Sequence, residues 1–172
     1  MYFESKNFLN KNQKNYINNV VLGDNFPFYW YDHQTEKDKK PFLSHVLYKR
    51  PEISNNQNQI NSEHFGVFLD FLKSFLNKNK IELNKLFRAS VNCTFNINEK
   101  KSNTHIDHEF DHKQVIIYLN DSEGETIILN DKNKIIKKIK PEKFKGICFD
   151  KKPHYIIYPK KGRRVIAVYT FI

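Results

Sequence analysis

Three residues of this chain, His105, Asp107 and His154, have side chains of the types that bind transition-metal ions. His105 and Asp107 are separated by one residue, and residues i and i+2 of a β-strand point to the same face. His154 comes later, directly after Pro153, and intervening strands could bring it back beside the first pair. Two imidazoles and one carboxylate can hold Fe(II) on one side and leave positions open for a bidentate co-substrate and dioxygen.

Two other histidines, His108 and His112, lie near the His-x-Asp pattern and are alternative ligands. His108 has the opposite strand parity to His105. His112 falls in a predicted loop, where a solvated side chain is expected. Because the His-x-Asp pattern is short, its interpretation as a metal site depends on further residues with matching chemistry.

Arg164 is the first such residue, because it opens an apolar segment that ends at Ile172 and predicts the final strand. An inward-facing charge on this strand is costly without a partner. A dicarboxylic co-substrate would supply one through a bidentate ion pair. Arg163 is the competing anchor, although its opposite parity favours an exposed position. Tyr118, at the end of a predicted strand, can donate to the same carboxylate or can be a core tyrosine.

A strand with two different faces is predicted over residues 88–97. One face is apolar, and the other is polar and includes Arg88 and Asn92. The apolar side chains are those of Ala89, Val91, Cys93, Phe95 and Ile97. We expect the apolar face to pack on helices, whereas the polar face requires solvent or a wet cavity.

The remaining pattern predicts helices followed by short strands. Ser62 is the predicted N-cap of a helix with one apolar face, and a second short helix is predicted over Glu82–Phe87. The predicted strands after residue 97 are Val115–Leu119, Thr126–Leu129, Lys134–Ile139, Lys145–Phe149, Tyr155–Tyr158 and Arg164–Ile172. This order indicates an α+β fold with a double-stranded β-helix, or jelly roll, and flanking N-terminal helices. We predict a single domain over 1–172, with helical or irregular support at 1–87 and the jelly-roll core at 88–172.

Composition narrows the class of protein. The 172 residues suit one domain, and 39% hydrophobic residues are enough for a folded core. The formal net charge of +10 favours an acidic protein or peptide partner, and a nucleic-acid partner is unlikely because no base-reading motif accompanies the charge. Cys93 and Cys148 are predicted to be reduced, buried thiols. The sequence has neither a membrane-length apolar run nor the apolar core of a signal peptide, so the expected location is cytoplasmic.

Taken in order, these motifs resemble those of the 2-oxoglutarate and Fe(II)-dependent oxygenases, in particular the small prolyl-hydroxylase-like enzymes of bacteria and phages. The matching segments are FPFYW at 26–30, the residues around His45, Arg88 with Asn92, HID at 105–107, YLND at 118–121, GET at 124–126 and the stretch His154…Pro159…Gly162-x-Arg164. One departure is Glu123, which stands where family members often have a glycine before Gly124.

The resemblance implies roles for individual residues. The Fe(II) ligands would be His105, Asp107 and His154. Arg164 and Tyr118 would bind the distal carboxylate of 2-oxoglutarate. The two polar positions Arg88 and Asn92 would line the co-substrate pocket. It also implies that O2 is consumed to hydroxylate a substrate, with succinate and CO2 as co-products. The leading candidate for the substrate is a peptidyl, in particular a prolyl, side chain.

Other functions stay open at this point. A cupin-like dioxygenase or a zinc hydrolase could use the same His-Asp-His set, although neither accounts for a buried Arg164. A non-catalytic jelly-roll module could instead bind an acidic or nucleic-acid partner. A nucleic-acid demethylase is disfavoured, because such enzymes carry a second arginine six residues after the anchor, and that position, counted from Arg164, is Thr170 here.

Overall fold

Strands dominate the computed structural model, which describes residues 1–35, 38–54 and 59–172. In chain order the elements are β1 Tyr2–Ser5, α1 Lys11–Tyr16, β2 Tyr29–Tyr31, β3 Phe42–Tyr48, α2 Pro51–Ser54, α3 Phe65–Asn79, β4 Leu86–Phe95, β5 Lys113–Tyr118, β6 Thr126–Leu129, β7 Ile135–Ile139, β8 Gly146–Asp150, β9 His154–Ile156 and β10 Arg163–Phe171. A π-helical turn, Ile17–Val21, continues α1. None of the described helices is both long and apolar enough to cross a membrane.

Two antiparallel sheets form the body of the protein. The larger sheet has the strand order β1-β8-β5-β10-β4-β3-β2, and the smaller has the order β7-β6-β9. Strands β5, β8 and β10 of the larger sheet and β6 of the smaller share one apolar cluster, which includes Ile116, Phe149 and Ile128. The sheets therefore face each other, and the predicted jelly roll is confirmed.

Helix α3 covers the other face of the larger sheet. Its buried side chains are those of Phe68, Phe71, Leu72, Phe75 and Leu76, at the spacing that the sequence predicted. They join one cluster with Val91 of β4 and Ala167 of β10. Each fully buried Phe or Leu of this kind contributes roughly 1.5–3 kcal/mol. The helix begins at Phe65, later than predicted, because the Ser62 hydroxyl accepts a hydrogen bond from the His64 amide in the turn before it.

Strand β4 has the two faces that its alternation predicted. Ala89, Val91 and Cys93 lie in the core beneath α3. The alternate residues, from Arg88 through Asn92 to Thr94, line a cavity between the sheets. The polar face therefore lines a cavity, which is one of the two explanations that the sequence left open. Both cysteines are free and buried, as predicted.

The N-terminal half differs from its prediction in two ways. The helix predicted over Glu82–Phe87 is wrong, because the backbone there pairs with the end of the chain. The amides of Asn84 and Lys85 donate to the Ile172 carbonyl at 2.6 and 3.0 Å. Second, β1, β2 and β3 all lie before residue 88, where no strand was expected. Part of the polar loop predicted at 54–61 lies outside the described residues.

Candidate metal and co-substrate site

A cavity of about 840 Å³ lies between the two sheets. Strands β3, β4, β5 and β10 provide one wall, and β6 and β9 provide the other. The cavity contains all three of the predicted metal ligands as well as Arg88, Asn92 and Arg164. A cavity of this size can hold a small co-substrate together with part of a larger substrate.

His105 and His154 are held side by side by a pair of backbone hydrogen bonds. Each amide donates to the other residue's carbonyl at 3.0 Å, and the ring centroids are 4.4 Å apart. The sequence argument assumed that His105 and Asp107 lie on a continuous strand. In the structure His105 instead forms an isolated bridge with His154. One ligand atom from each of His105, Asp107 and His154 lies within 4.8 Å of the others. The arrangement can therefore hold one metal ion.

Both imidazoles have the orientation that metal binding requires. Nδ1 of His154 lies 3.0 Å from the carbonyl oxygen of Lys152, and Nδ1 of His105 lies 3.2 Å from that of Asn103. A carbonyl can only accept, so Nδ1 carries the proton and Nε2 keeps its lone pair. Burial, followed by the neighbouring His105, lowers the pKa of His154 to about 4, and the ring is therefore neutral near pH 7.

The two carboxylate oxygens of Asp107 have different surroundings. Oδ1 accepts from Arg88 at 2.6 Å and from Arg50 at 3.1 Å. Oδ2 is buried, finds no hydrogen-bond partner in the described chain and lies 3.8 Å from Nε2 of His154. Burial raises the pKa of Asp107, but Arg88, the two histidines and Arg50 outweigh it and hold the pKa well below its usual range. Oδ2 is thus an ionised acceptor without a partner, and a cation would satisfy it.

Arg164 lies at the far end of the cavity with its side chain buried. Its Nε donates to the Gly124 carbonyl at 2.9 Å, and one terminal nitrogen donates to Thr126 Oγ1 at 2.7 Å. No carboxylate lies within ion-pairing distance of it among the residues described. Arg163 faces away, is exposed and donates to the Leu22 carbonyl. Of the two candidate anchors, only Arg164 faces the cavity.

Tyr118 is fully buried beside Arg164. Its hydroxyl donates to Thr126 Oγ1 at 2.8 Å, and the guanidinium carbon of Arg164 lies 5.6 Å from the centre of its ring. Burial raises the pKa of Tyr118 despite the opposing effect of Arg164, so the hydroxyl stays protonated and can donate. Asn92, the other predicted polar contact, accepts from the Ser44 hydroxyl at 2.8 Å.

Arg50 is a site residue that the sequence analysis missed. It lies two residues after the end of β3. One terminal nitrogen donates to the Asp107 carbonyl at 2.5 Å, and the other donates to Oδ1. No motif surrounds it, and the contact spans residues far apart in sequence. Gln114 was also missed; its amide nitrogen lies 3.4 Å from Nε2 of His154.

The two alternative histidines stay outside the metal cluster. His108 is buried, with Nε2 2.8 Å from Thr170 Oγ1 and Nδ1 3.2 Å from a Glu52 oxygen. The prediction that His112 is solvated is wrong. Its ring is buried against that of His108, and its Nδ1 is 2.9 Å from the Phe110 carbonyl. The loop folds inward there, which local sequence does not reveal.

Comparisons with solved structures place this geometry in a known fold. An oxidoreductase of the 2OG-Fe(II) oxygenase family from Burkholderia pseudomallei superposes with a TM-score of 0.76 at 13% identity, covering 99% of this chain and 84% of the other. A prolyl hydroxylase from Trichoplax adhaerens, in complex with a peptide fragment, gives a TM-score of 0.64 at 14% identity, covering 99% and 83%. This chain has the 2-oxoglutarate and Fe(II) oxygenase fold.

The same fold also occurs in an epimerase. The epimerase SnoN, in complex with Fe3+ and alpha ketoglutarate, gives a TM-score of 0.64 at 8% identity, covering 99% of this chain and 78% of the other. No protein-family model and no curated protein sequence matches this chain. Since all identities are low, these comparisons establish the fold, and the activity must be argued from the site.

Proposed function

We propose that this protein is an Fe(II)- and 2-oxoglutarate-dependent dioxygenase that hydroxylates an organic substrate. The observation that carries the proposal is the presence, in one cavity, of two charged groups that each lack an oppositely charged or hydrogen-bonding partner for part of the side chain. One is the partnerless Oδ2 of ionised Asp107, beside two imidazoles. The other is the buried guanidinium of Arg164, with no carboxylate partner among the described residues. A metal ion satisfies the first group, and a dicarboxylate satisfies the second.

The donor set fits Fe(II). Nε2 of His105, Nε2 of His154 and Oδ2 of Asp107 would hold the metal, since two imidazoles and one carboxylate are the ligand set of non-haem Fe(II) oxygenases. When bound, the metal and 2-oxoglutarate supply the oxygen chemistry, in which O2 is consumed and succinate and CO2 are released. A zinc hydrolase could use the same ligands, but it would give Arg164 no partner.

The protein's own residues bind and orient these groups. Arg164 is positioned to pair with the distal carboxylate of 2-oxoglutarate, and the protonated hydroxyl of Tyr118 lies next to it as a second donor. Arg88 and Arg50 hold Oδ1 of Asp107, which directs Oδ2 toward the histidines. The carbonyls behind both imidazoles hold a proton on Nδ1, so Nε2 is the ligand atom of the neutral ring.

The test is an anaerobic titration of the purified protein with Fe(II) and then with 2-oxoglutarate, followed by visible absorption. A metal-to-ligand charge-transfer band is expected only when both are present. The Arg164→Met variant should lose the band at moderate 2-oxoglutarate concentration, whereas the matched control Arg163→Met should keep it. Absence of the band in the native protein, with calorimetry also showing no binding, would overturn the proposal in favour of a zinc site or a binding module.

We further propose that the substrate is a peptidyl side chain, with proline as the first candidate. The support is the similarity in fold to a prolyl hydroxylase in complex with a peptide. Incubating the loaded protein with proline-containing peptides and searching by mass spectrometry for the gain of one oxygen atom tests this.

The free thiols of Cys93 and Cys148 favour a reducing, cytoplasmic location.

A further inference from the structure

The cavity extends well beyond the metal cluster toward the edge of the larger sheet. From Arg164 on β10 the sheet continues through β4 and β3 to β2. We call the part on β2 and β3 the outer cavity. It is lined by Tyr31, Phe42, Val46 and Tyr48, with Lys49 and Arg50 where β3 ends. The metal ligands and Arg164 lie outside this part, although Arg50 joins it to the metal cluster through Asp107.

The charges in the cavity are unbalanced. Among its described lining residues, the cations are Lys49, Arg50, Arg88 and Arg164, and the one carboxylate is that of Asp107. On the proposed function, Fe(II) adds two positive charges and 2-oxoglutarate adds two negative ones, so the surplus is unchanged. Arg164 would pair with the co-substrate, and Arg50 and Arg88 share the single carboxylate of Asp107. The remaining excess charge therefore lies near Lys49 and Arg50, beside the outer cavity. Cavities lined by one sign of charge attract ligands of the opposite sign.

Strand β2 presents aromatic side chains and a free edge beside the outer cavity. Tyr29, Trp30 and Tyr31 are 60%, 58% and 39% exposed, although each is a large apolar residue. The strand pairs with β3 on one side only within the described chain. A strand at the edge of a sheet offers unpaired backbone donors and acceptors to another extended peptide, here over the three residues of β2.

We propose that the outer cavity and the edge of β2 bind an acidic peptide segment, with its carboxylates facing Lys49 and Arg50. The segment would extend the sheet at β2 and pass over Tyr31 toward the metal cluster. This inference rests on the proposed function and specifies its substrate class. A peptide fits better than a nucleic acid, because a free strand edge matches the alternating amide and carbonyl groups of a peptide backbone.

The first experiment selects binders from a display library of short random peptides. The target is the native protein loaded with Fe(II) and 2-oxoglutarate without oxygen. We expect the enriched sequences to contain more Asp and Glu than the starting library. We also expect Lys49→Glu to reduce this enrichment, whereas Lys138→Glu, the same charge change on exposed β7, should preserve it. Enrichment of neutral or basic sequences, or no enrichment, would overturn the proposal.

The second experiment reads binding at β2 directly, because Trp30 is the single tryptophan in the chain. An enriched acidic peptide should change the Trp30 fluorescence, and the change should weaken with added salt. Lys49→Glu should lower the affinity about fivefold, the effect of one partly exposed ion pair. A peptide with lysines in place of its acidic residues should recover affinity with that variant.

Two outcomes of the second experiment count against the proposal. Equal affinity for acidic and basic peptides would remove the charge argument, and tighter binding of a single-stranded oligonucleotide at Trp30 would assign the surface to nucleic acid. Both outcomes are independent of catalysis. If the charge-transfer band forms but acidic peptides do not bind, only this inference fails; if the band is absent, the proposed function fails.

Discussion

Arg164 and Tyr118 donate to the same atom, Oγ1 of Thr126, at 2.7 and 2.8 Å. A hydroxyl oxygen has two lone pairs, so Thr126 can accept both. The shared acceptor brings a buried cation that lines the cavity together with a buried phenol behind it. A guanidinium buried in this way is expensive unless an anion completes it. The two hydrogen bonds to Gly124 and Thr126 leave the charge of Arg164 without a counter-ion among the described residues.

The first prediction follows from that cost. Replacing Arg164 with Met should raise the thermal midpoint of the ligand-free protein, since an apolar side chain of similar volume in place of a buried charge is often stabilising by roughly 1–4 kcal/mol. The same variant should lose 2-oxoglutarate affinity by about 30-fold or more, because a buried hydrogen-bonded charge pair is broken. Differential scanning calorimetry and isothermal titration measure the two effects.

Arg163→Met is the matched control for this prediction, because the neighbouring residue is exposed and faces away from the cavity. It should leave 2-oxoglutarate binding unchanged. If Arg164→Met instead lowers the midpoint and keeps co-substrate affinity, Arg164 is a structural residue and the anchor has been assigned incorrectly.

The second prediction concerns Tyr118→Phe. The variant keeps the buried ring but removes the hydroxyl, so the fold should be retained and 2-oxoglutarate affinity should fall about tenfold, the loss of one hydrogen bond to a charged group. Burial raises the pKa of Tyr118, so the hydroxyl is protonated throughout the neutral range. The loss should therefore be the same at mildly acidic and mildly alkaline pH. An unchanged affinity would identify Tyr118 as a core residue only.

Local patterns were sufficient for the strands whose two faces differ. Strand β4 was predicted because its polar and apolar residues alternate, and β6 was predicted with its observed bounds, Thr126–Leu129. Strand β3 was missed because Ser44 and His45 are buried in it. The Ser44 hydroxyl donates to Oδ1 of Asn92. Nδ1 of His45 lies 2.7 Å from the Pro27 carbonyl oxygen, and its Nε2 lies 2.7 Å from the Ser62 hydroxyl oxygen. These polar side chains can be buried because they have hydrogen-bond partners elsewhere in the chain. The local sequence around β3 gives no information about those partners.

The site shows the same division between local and long-range information. The His-x-Asp pattern, the position of His154 and the family resemblance together selected three residues that do come together. Arg50 could not be chosen, because nothing in its neighbourhood indicates that it reaches Asp107. The burial of His112 was also unpredictable, since it results from packing against His108.

The third prediction tests the metal ligands separately. His105→Ala and His154→Ala should each lower Fe(II) affinity by more than about a hundredfold. Removing a residue that only hydrogen-bonds to a metal ligand already costs about 10–100-fold. Asp107→Ala should also destabilise the metal-free protein, because Arg88 and Arg50 lose their shared carboxylate. The control is His33→Ala, which removes an exposed histidine at the cavity rim. Direct titration with Fe(II) measures the affinity of each variant. Loss of Fe(II) binding in His33→Ala would contradict the assignment of the three metal ligands.

The fourth prediction concerns Gly124, which packs against Arg164. A Cβ at this position would lie 2.9 Å from Cδ of Arg164 and 2.8 Å from the Ile157 carbonyl oxygen. Gly124→Ala should therefore displace the Arg164 side chain, lower the free energy of unfolding by roughly 1–3 kcal/mol and weaken 2-oxoglutarate binding.

Gly66→Ala is the control for that substitution. A Cβ at Gly66, in the first turn of α3, meets nothing within 4 Å. It should stabilise the protein by about 0.4–1 kcal/mol, because alanine restricts the unfolded chain more than glycine does. Urea unfolding and 2-oxoglutarate titration of both variants separate the effects. Native co-substrate affinity in a destabilised Gly124→Ala protein would mean that the Ile157 carbonyl moves and that Arg164 keeps its place.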